Sequence, residues 1–263
     1  MSDRGVTADQ IDTGRPHPAR MYDYYLGGRD NYEIDRDAAE RVMASMPRMR
    51  DAIRENRAFL RRAVRTVVES GARQIIDIGT GIPTSPNTHE VAQQIAPTRV
   101  AYVDNDPIVG VHAQARLMDA RDTGFALGDL RQPETILEHP VVRSLIDFDQ
   151  PVALLLVAVL HFITDYEEPA RIVGVLRDAL PPGSWLVLTH GTNDTVVHDT
   201  SDAVGVYKNA TATLNLRPRG QVLGFFEGFE LVEPGLVTIA EWRPQSEGEP
   251  TRFGIYGGVG RKP

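Results

Sequence analysis

The chain contains no cysteine in its 263 residues. Disulfides, thiolate nucleophiles and cysteine-ligated zinc are therefore excluded, and any chemistry must use other groups. Long apolar runs are missing as well. The longest, Val152 to Leu160, falls far short of the about 20 residues that a bilayer-spanning helix needs. No secretory leader is visible, so the expectation is a cytoplasmic protein with no membrane partner. Positive charge is in deficit: 28 Lys and Arg stand against 36 Asp and Glu, for a formal charge of −8. That balance disfavours a nucleic-acid partner, whose binding needs clustered cations to neutralise phosphates. Internal repeats and low-complexity segments are lacking too. What is present, 41% hydrophobic residues on this length, suits one α/β core with an added segment.

Residues 1–18 are polar and without periodicity and read as a flexible tail, with 19–71 as an N-terminal strap and helices and 72–263 as the core. Ala38, Ala39, Val42, Met43 and Met46 predict a helix from Asp35 to Pro47. Ile53, Phe59, Leu60, Val64, Val67 and Val68 predict a second, up to Gly71. Its arginines, Arg48, Arg50, Arg54, Arg57, Arg61, Arg62 and Arg65, are interspersed with Asp51, Glu55 and Glu69 and read as a solvated face. Strands are then expected at Gln74–Ile78, Arg99–Val103, Phe125–Leu127, Val152–Val159 and Trp185–Leu188, separated by helices near Thr88–Ile95 and after Pro107, Pro133 and Asp165. Asp165 with Glu168 has the spacing of a helix cap. Apolar strands alternating with helices predict a parallel sheet covered on both faces. Glu230–Val232, Val237–Trp242 and Phe253–Val259 predict antiparallel strands added at the sheet edge.

The first strand runs into Asp77-Ile78-Gly79-Thr80-Gly81-Ile82-Pro83-Thr84. Glycines after a strand let the backbone approach a nucleotide-like ligand where a side chain would clash. A dinucleotide fingerprint requires a third glycine where Thr84 stands, so a nicotinamide enzyme is disfavoured. In an open parallel sheet the ligand lies beyond the carboxyl ends of the strands. There Asp104, followed by Asn105, can accept from both hydroxyls of a ribose or else cap the helix at Pro107. Gly128-Asp129-Leu130 can read an adenine through carboxylate and backbone, unless Asp129 is a turn residue. Ala158 and His161 close the fourth strand. A neutral imidazole there can take a proton from a nucleophile or serve as a structural hydrogen-bonder. His190, after the fifth strand, is read as a loop residue or an acceptor-site group. Tyr22, Tyr24, Tyr25 and Tyr32 surround Gly27-Gly28 in a segment able to close over a cationic ligand, with Arg20, Tyr25 or Asn31 touching its amino-acid end.

The Asp-x-Gly-x-Gly turn, Asp104, Gly128-Asp129 and Ala158–His161, in that order on successive strands, resemble the motifs of class I S-adenosylmethionine-dependent methyltransferases across about residues 72–190. Pro18 to Tyr32, Leu160-His161-Phe162 and Phe226 to Val237 extend the likeness over nearly the whole chain. They resemble the actinobacterial S-adenosyl methyltransferase family once known only as a domain of unknown function. The resemblance implies a Rossmann-like α/β fold and S-adenosylmethionine as cofactor. It further implies cofactor contacts from Asp77, Gly79, Thr80, Gly81, Asp104, Asn105, Gly128, Asp129, Leu130 and Ala158, with His161 the candidate base. The fourth strand lacks the Asn/Asp-Pro-Pro-aromatic run that marks attack by base amines or glutamine amides in this superfamily, and the acidic cluster of its metal-dependent catechol-type members. A small-molecule methyl acceptor and no metal are expected. The alternative is a noncatalytic module that senses the cofactor or its product.

Overall fold

The computed structural model describes residues 12–117, 120–195, 200–244 and 253–263; the first eleven residues of the expected tail lie outside that description. Parallel strands β1 (Gln74–Ile78), β2 (Arg99–Asp104), β3 (Thr123–Leu127), β4 (Ala153–Val157) and β5 (Trp185–Gly191) form one sheet with β6 (Glu230–Leu231), β7 (Val237–Thr238) and β8 (Ile255–Arg261). The order is β3-β2-β1-β4-β5-β8-β6, with β7 also paired to β8. The fold is α/β with a mostly parallel sheet and antiparallel C-terminal strands.

The two-residue period of the strands sorts the core into two layers. Ile76, Ile78, Leu154, Leu156, Leu186 and Leu188 face the helices α6 (Pro133–Glu138), α7 (Pro140–Leu145) and α8 (Pro169–Asp178). Ile75, Leu155 and Val187 face α3 (Met49–Glu69), α4 (Thr88–Gln93) and α5 (Pro107–Leu117). A third apolar cluster joins α1 (Pro18–Tyr25), α2 (Glu33–Ser45) and α9 (Ser201–Tyr207) through Met21, Tyr25, Val42 and Tyr207. This cluster roofs the carboxyl ends of the strands. Helix α1 is set by Pro18 at its first turn and by the His17 ring, whose Nδ1 accepts from the Ala19 N–H at 3.2 Å.

The antiparallel strands do extend the sheet beyond β5, with β8 between β5 and β6. The β8 glycines, Gly257, Gly258 and Gly260, leave room for the rings of Phe59, Phe226 and Phe229, so it can be covered on both faces. Several expectations change. The expected strand Val237–Trp242 stops at Thr238, because the Glu241 carboxylate accepts from both the N–H and the hydroxyl of Thr238. The turned carbonyls of Ile239 and Trp242 accept from Arg62, at 2.6 and 2.9 Å. Arg62 is thus buried, and α3 is not the uniformly solvated face its charges imply. The capping residues are Thr164 and Glu167, around a 3-10 turn at Asp165–Glu167; α8 begins at Pro169 after Glu168, which has φ 54°. β5 extends to Gly191, so His190 is fully buried in the sheet, not in a loop.

The glycine turn is held by two amides: those of Gly79 and Thr80 both donate to the Val103 carbonyl of β2, at 2.8 and 3.2 Å. Gly79 has φ +73° and Gly81 φ +67°, both left-handed, but their surroundings differ. A Cβ at Gly79 would overlap Val159, whereas at Gly81 it would meet open space. Gly81→Ala should therefore cost only the left-handed penalty, roughly 1–2 kcal/mol. Gly79→Ala adds an overpacking cost of about 1–3 kcal/mol. Thermal melts of the two variants check this: Gly79→Ala should melt several degrees below Gly81→Ala, and the reverse order would contradict the packing described.

Candidate functional site

One cavity of about 620 Å³ opens beyond the ends of β1, β2, β4 and β5, a volume suited to small-molecule binding. Its walls have two characters. Asp77, Gly79, Thr80, Gly81 and Asp104 form one end, on β1 and β2. Tyr25, Ile53, Asn56, Phe162, Tyr207 and Leu214 belong to the other, under α1, α3 and α9. Ala158 and His161, after β4, lie between.

Asp104 is buried and uses both oxygens on backbone amides: Oδ2 accepts from Gly81 at 2.8 Å and Oδ1 from Asp106 at 3.0 Å. Each oxygen retains a second lone pair. Asp77 accepts from the Thr88 hydroxyl at 2.6 Å. Burial pushes both carboxyls up to about 6, against the hydrogen bonds that favour their charged forms. With folded values above the unfolded one, the stability these groups contribute falls as pH rises from about 4 to about 6, a cost on the order of 3 kcal/mol each at neutrality. A ligand that donates to the charged carboxylates offsets it. Ala158 has φ 56°, strained for a residue with a Cβ, and its N–H is held by the Thr189 hydroxyl at 2.9 Å.

His161 is buried, and its Nδ1 accepts from the Gly191 N–H at 3.2 Å. Burial, then His190 and Arg217, hold its pKa far below the ordinary imidazole range. A neutral ring that accepts at Nδ1 carries its proton on Nε2, so His161 is a hydrogen-bond donor at its other nitrogen. His190 is structural: Nδ1 meets the Gly191 carbonyl at 2.8 Å and Nε2 meets Arg217 at 3.0 Å. Arg217 also donates to the Ile163 carbonyl and to Asp165, at 2.8 and 2.7 Å, and so fixes the segment carrying His161.

The other expected residues are placed outside the cavity wall. Arg20 is buried beneath the strap, 3.6 Å from Asp35 and 3.7 Å from Asp106, and donates to the carbonyls of Asp12 and Arg15. Asn31 donates to Asp23 at 2.7 Å and to the Gly28 carbonyl. Asn105, Gly128, Asp129 and Leu130 lie at the adjoining ends of β2 and β3; the Gly128 N–H donates to the Asp104 carbonyl at 3.0 Å, and the Leu130 side chain is in the core. Burial pushes the Asp129 carboxyl up, but its bonds to Arg131 outweigh this and hold it below the usual range. Among the polar wall residues that the sequence patterns do not single out, two lie on α3. Arg57 donates through Nη2 to the carbonyls of Thr84 and Pro86, at 2.7 and 2.8 Å. Asn56, 1% exposed, donates to the Tyr22 hydroxyl at 3.0 Å. Their spacing from Ile53 and Leu60 puts them on the apolar stripe of that helix, which was the available signal.

Comparison with known proteins agrees with this geometry. The model of the S-adenosyl methyltransferase family matches residues 4–263. A DUF574 family protein from Streptomyces avermitilis is 40% identical over 96% of this chain and 100% of its own, with a TM-score of 0.92. A putative methyltransferase from Thermobifida fusca is 39% identical over 95% of this chain and 96% of its own, with a TM-score of 0.89. The N-methyltransferase NodS from Bradyrhizobium japonicum, 16% identical over 80% of this chain and 97% of its own with a TM-score of 0.50, shares the fold. No protein of curated function matches the chain. The chain belongs to the S-adenosyl methyltransferase family and is an S-adenosylmethionine-dependent methyltransferase of the class I Rossmann-like fold.

Proposed function

We propose that this enzyme methylates a small molecule held in the same cavity as its cofactor. The observation that carries the reading is the continuity of one cavity from Gly79, Gly81 and Asp104 to His161, Phe162 and Tyr207. The residues present fit the cofactor: a buried carboxylate with open lone pairs at the end of β2, and a turn with open space beside Gly81 where a Cβ would stand. Asp104 takes the ribose hydroxyls, with Asn105, Gly128, Asp129 and the backbone of Leu130 beside the adenine. Asp77, Gly79, Thr80, Gly81 and Ala158 line the amino-acid end. Arg57 takes the cofactor's carboxylate, the part expected of Arg20 and Asn31, because its cation lies on the cavity wall close enough to Asp77 to favour that group's ionisation. Tyr25 stays in the wall as a neutral phenol, since burial, and then Tyr207, raise it far above its usual range.

When bound, S-adenosylmethionine supplies an electrophilic methyl group on a sulfonium. The chain's own contribution is alignment and exclusion of water. Tyr22 and Tyr25 offer ring faces, which attract a desolvated cation. His161 orients the acceptor by donating from Nε2, a role that replaces the base expected of it: taking a proton at Nε2 would need the Nδ1–H tautomer, which would point a donor at the Gly191 N–H.

Long-range nitrogen–proton correlation spectra should find His161 neutral and protonated at Nε2, without change from pH about 8 to about 5.5. A titration in that window would contradict the donor assignment. Affinity for S-adenosylhomocysteine should fall as pH drops through about 6, by up to about tenfold per pH unit per carboxylate, because Asp77 and Asp104 bind ligand in their ionised forms. Asp104→Asn should weaken binding about tenfold at neutral pH and flatten the profile, measured by calorimetry. A profile flat from pH about 7.5 to about 5 in the wild type would contradict this. Arg57→Met should weaken S-adenosylhomocysteine about tenfold or more while leaving adenosine, which has no carboxylate, unaffected. Equal losses for both ligands would mean that Arg57 only braces the turn at Thr84 and Pro86.

A further inference from the structure

The acceptor end of the cavity has a chemistry of its own. Ile53, Phe162, Tyr207 and Leu214 all belong to the apolar cluster under α1, α2 and α9, separate from the layers that flank the sheet. Phe162 and Tyr207 stand with ring centroids 5.6 Å apart at 45°, giving flat apolar walls. Among the described lining residues the full cations are Arg48 and Arg57. Arg57 is turned to the carbonyls of Thr84 and Pro86, and exposed Arg48 lies at the rim with its guanidinium 5.1 Å from the Phe253 ring centroid. The carboxylates, Asp77 and Asp104, are at the cofactor end. A charged acceptor entering this chamber would lose its hydration without a counter-ion aimed at it, which is prohibitive for an isolated charge.

The chamber nevertheless carries neutral polar atoms. Asn56 spends its Nδ2 on Tyr22 and leaves Oδ1, a buried acceptor, without a partner. The buried Thr195 hydroxyl oxygen also lacks one. An unpaired buried acceptor is costly, and a ligand donor that draws it to the cavity surface removes that cost. His161 presents the opposite demand: with Nδ1 engaged by Gly191, its Nε2–H needs a ligand lone pair. A hydroxyl group suits either demand, since it donates and accepts.

We infer that the methyl acceptor is an uncharged, largely apolar ring compound bearing a hydroxyl, lying against the joined rings of Phe162 and Tyr207 with its polar group toward His161 and Asn56. This deepens the proposed function and rests on it in one respect, that the neighbouring end of the cavity holds the cofactor.

The test is a calorimetric comparison of 2-naphthol, 2-naphthoate and 2-naphthylmethylammonium, titrated into the protein with and without saturating S-adenosylhomocysteine. 2-Naphthol should bind, and the anion and cation should bind at least about tenfold more weakly. Asn56→Leu should weaken 2-naphthol about fivefold or more without changing the affinity for S-adenosylhomocysteine. His161→Phe, which keeps a ring of similar breadth, should do the same and supplies a second reading if Asn56→Leu folds poorly. Binding of the anion or the cation as tight as that of 2-naphthol overturns the inference, and so does a lack of 2-naphthol binding under both conditions. Failure of S-adenosylhomocysteine to bind is seen in its own titration and overturns the cofactor assignment instead, while the three naphthalene titrations on the free protein still decide the acceptor class.

Discussion

The short segment that ends β2 ties the molecule's working parts together. Asp104 accepts from the Gly81 amide of the glycine turn and from the amide of Asp106. Asp106 in turn accepts through Oδ1 from the Ile108 N–H at the start of α5. Its other oxygen lies 3.7 Å from the guanidinium of Arg20, on the strap that carries Tyr22 and Tyr25. Two buried carboxylates two residues apart thus anchor the turn, a helix start and the roof. Asp35 completes the anchor from α2, accepting from the backbone of both His17 and Tyr32 at 2.9 Å.

This arrangement is not the most stable one available. Asp77 and Asp104 are kept ionisable in a dry place, Ala158 is held left-handed, and Asn56 lacks one partner. Each departs from what folding alone favours, and each lies on the cavity wall. Strain and unsatisfied polarity concentrated at one place are expected where a ligand completes the structure. The surrounding layers supply the stability that tolerates it, with α3 to α8 packed on both faces of the sheet.

The part of the site that was legible in the sequence is the part made by local signals. A strand followed by glycines and a carboxylate closing the next strand are patterns within a few residues, so Asp77, Gly79, Gly81 and Asp104 could be placed at strand ends before the fold was known. Asn56 and Arg57 were hidden because α3 carries so many charges that its polar residues read as solvent-facing; only their place on the stripe of Ile53 and Leu60 distinguishes them. Arg20 and Asn31 stand away from the cavity wall for the opposite reason. They lie in the tyrosine-rich segment, but their partners, Asp35, Asp106 and Asp23, are brought to them by tertiary structure. The interior position of β8 was likewise unreadable, because glycines that weaken a strand in isolation here make room for phenylalanine rings from elsewhere in the chain.

The end of β2 joins the glycine-turn end of the cavity to the strap that roofs its apolar end. Amide hydrogen exchange with and without S-adenosylhomocysteine tests it most directly. Exchange should slow on binding both in the glycine turn, Gly79 to Gly81, and across Met21 to Gly28 of the strap, with the second effect lost in Asp106→Asn. Protection confined to the turn, or strap protection unaltered in Asp106→Asn, would contradict it.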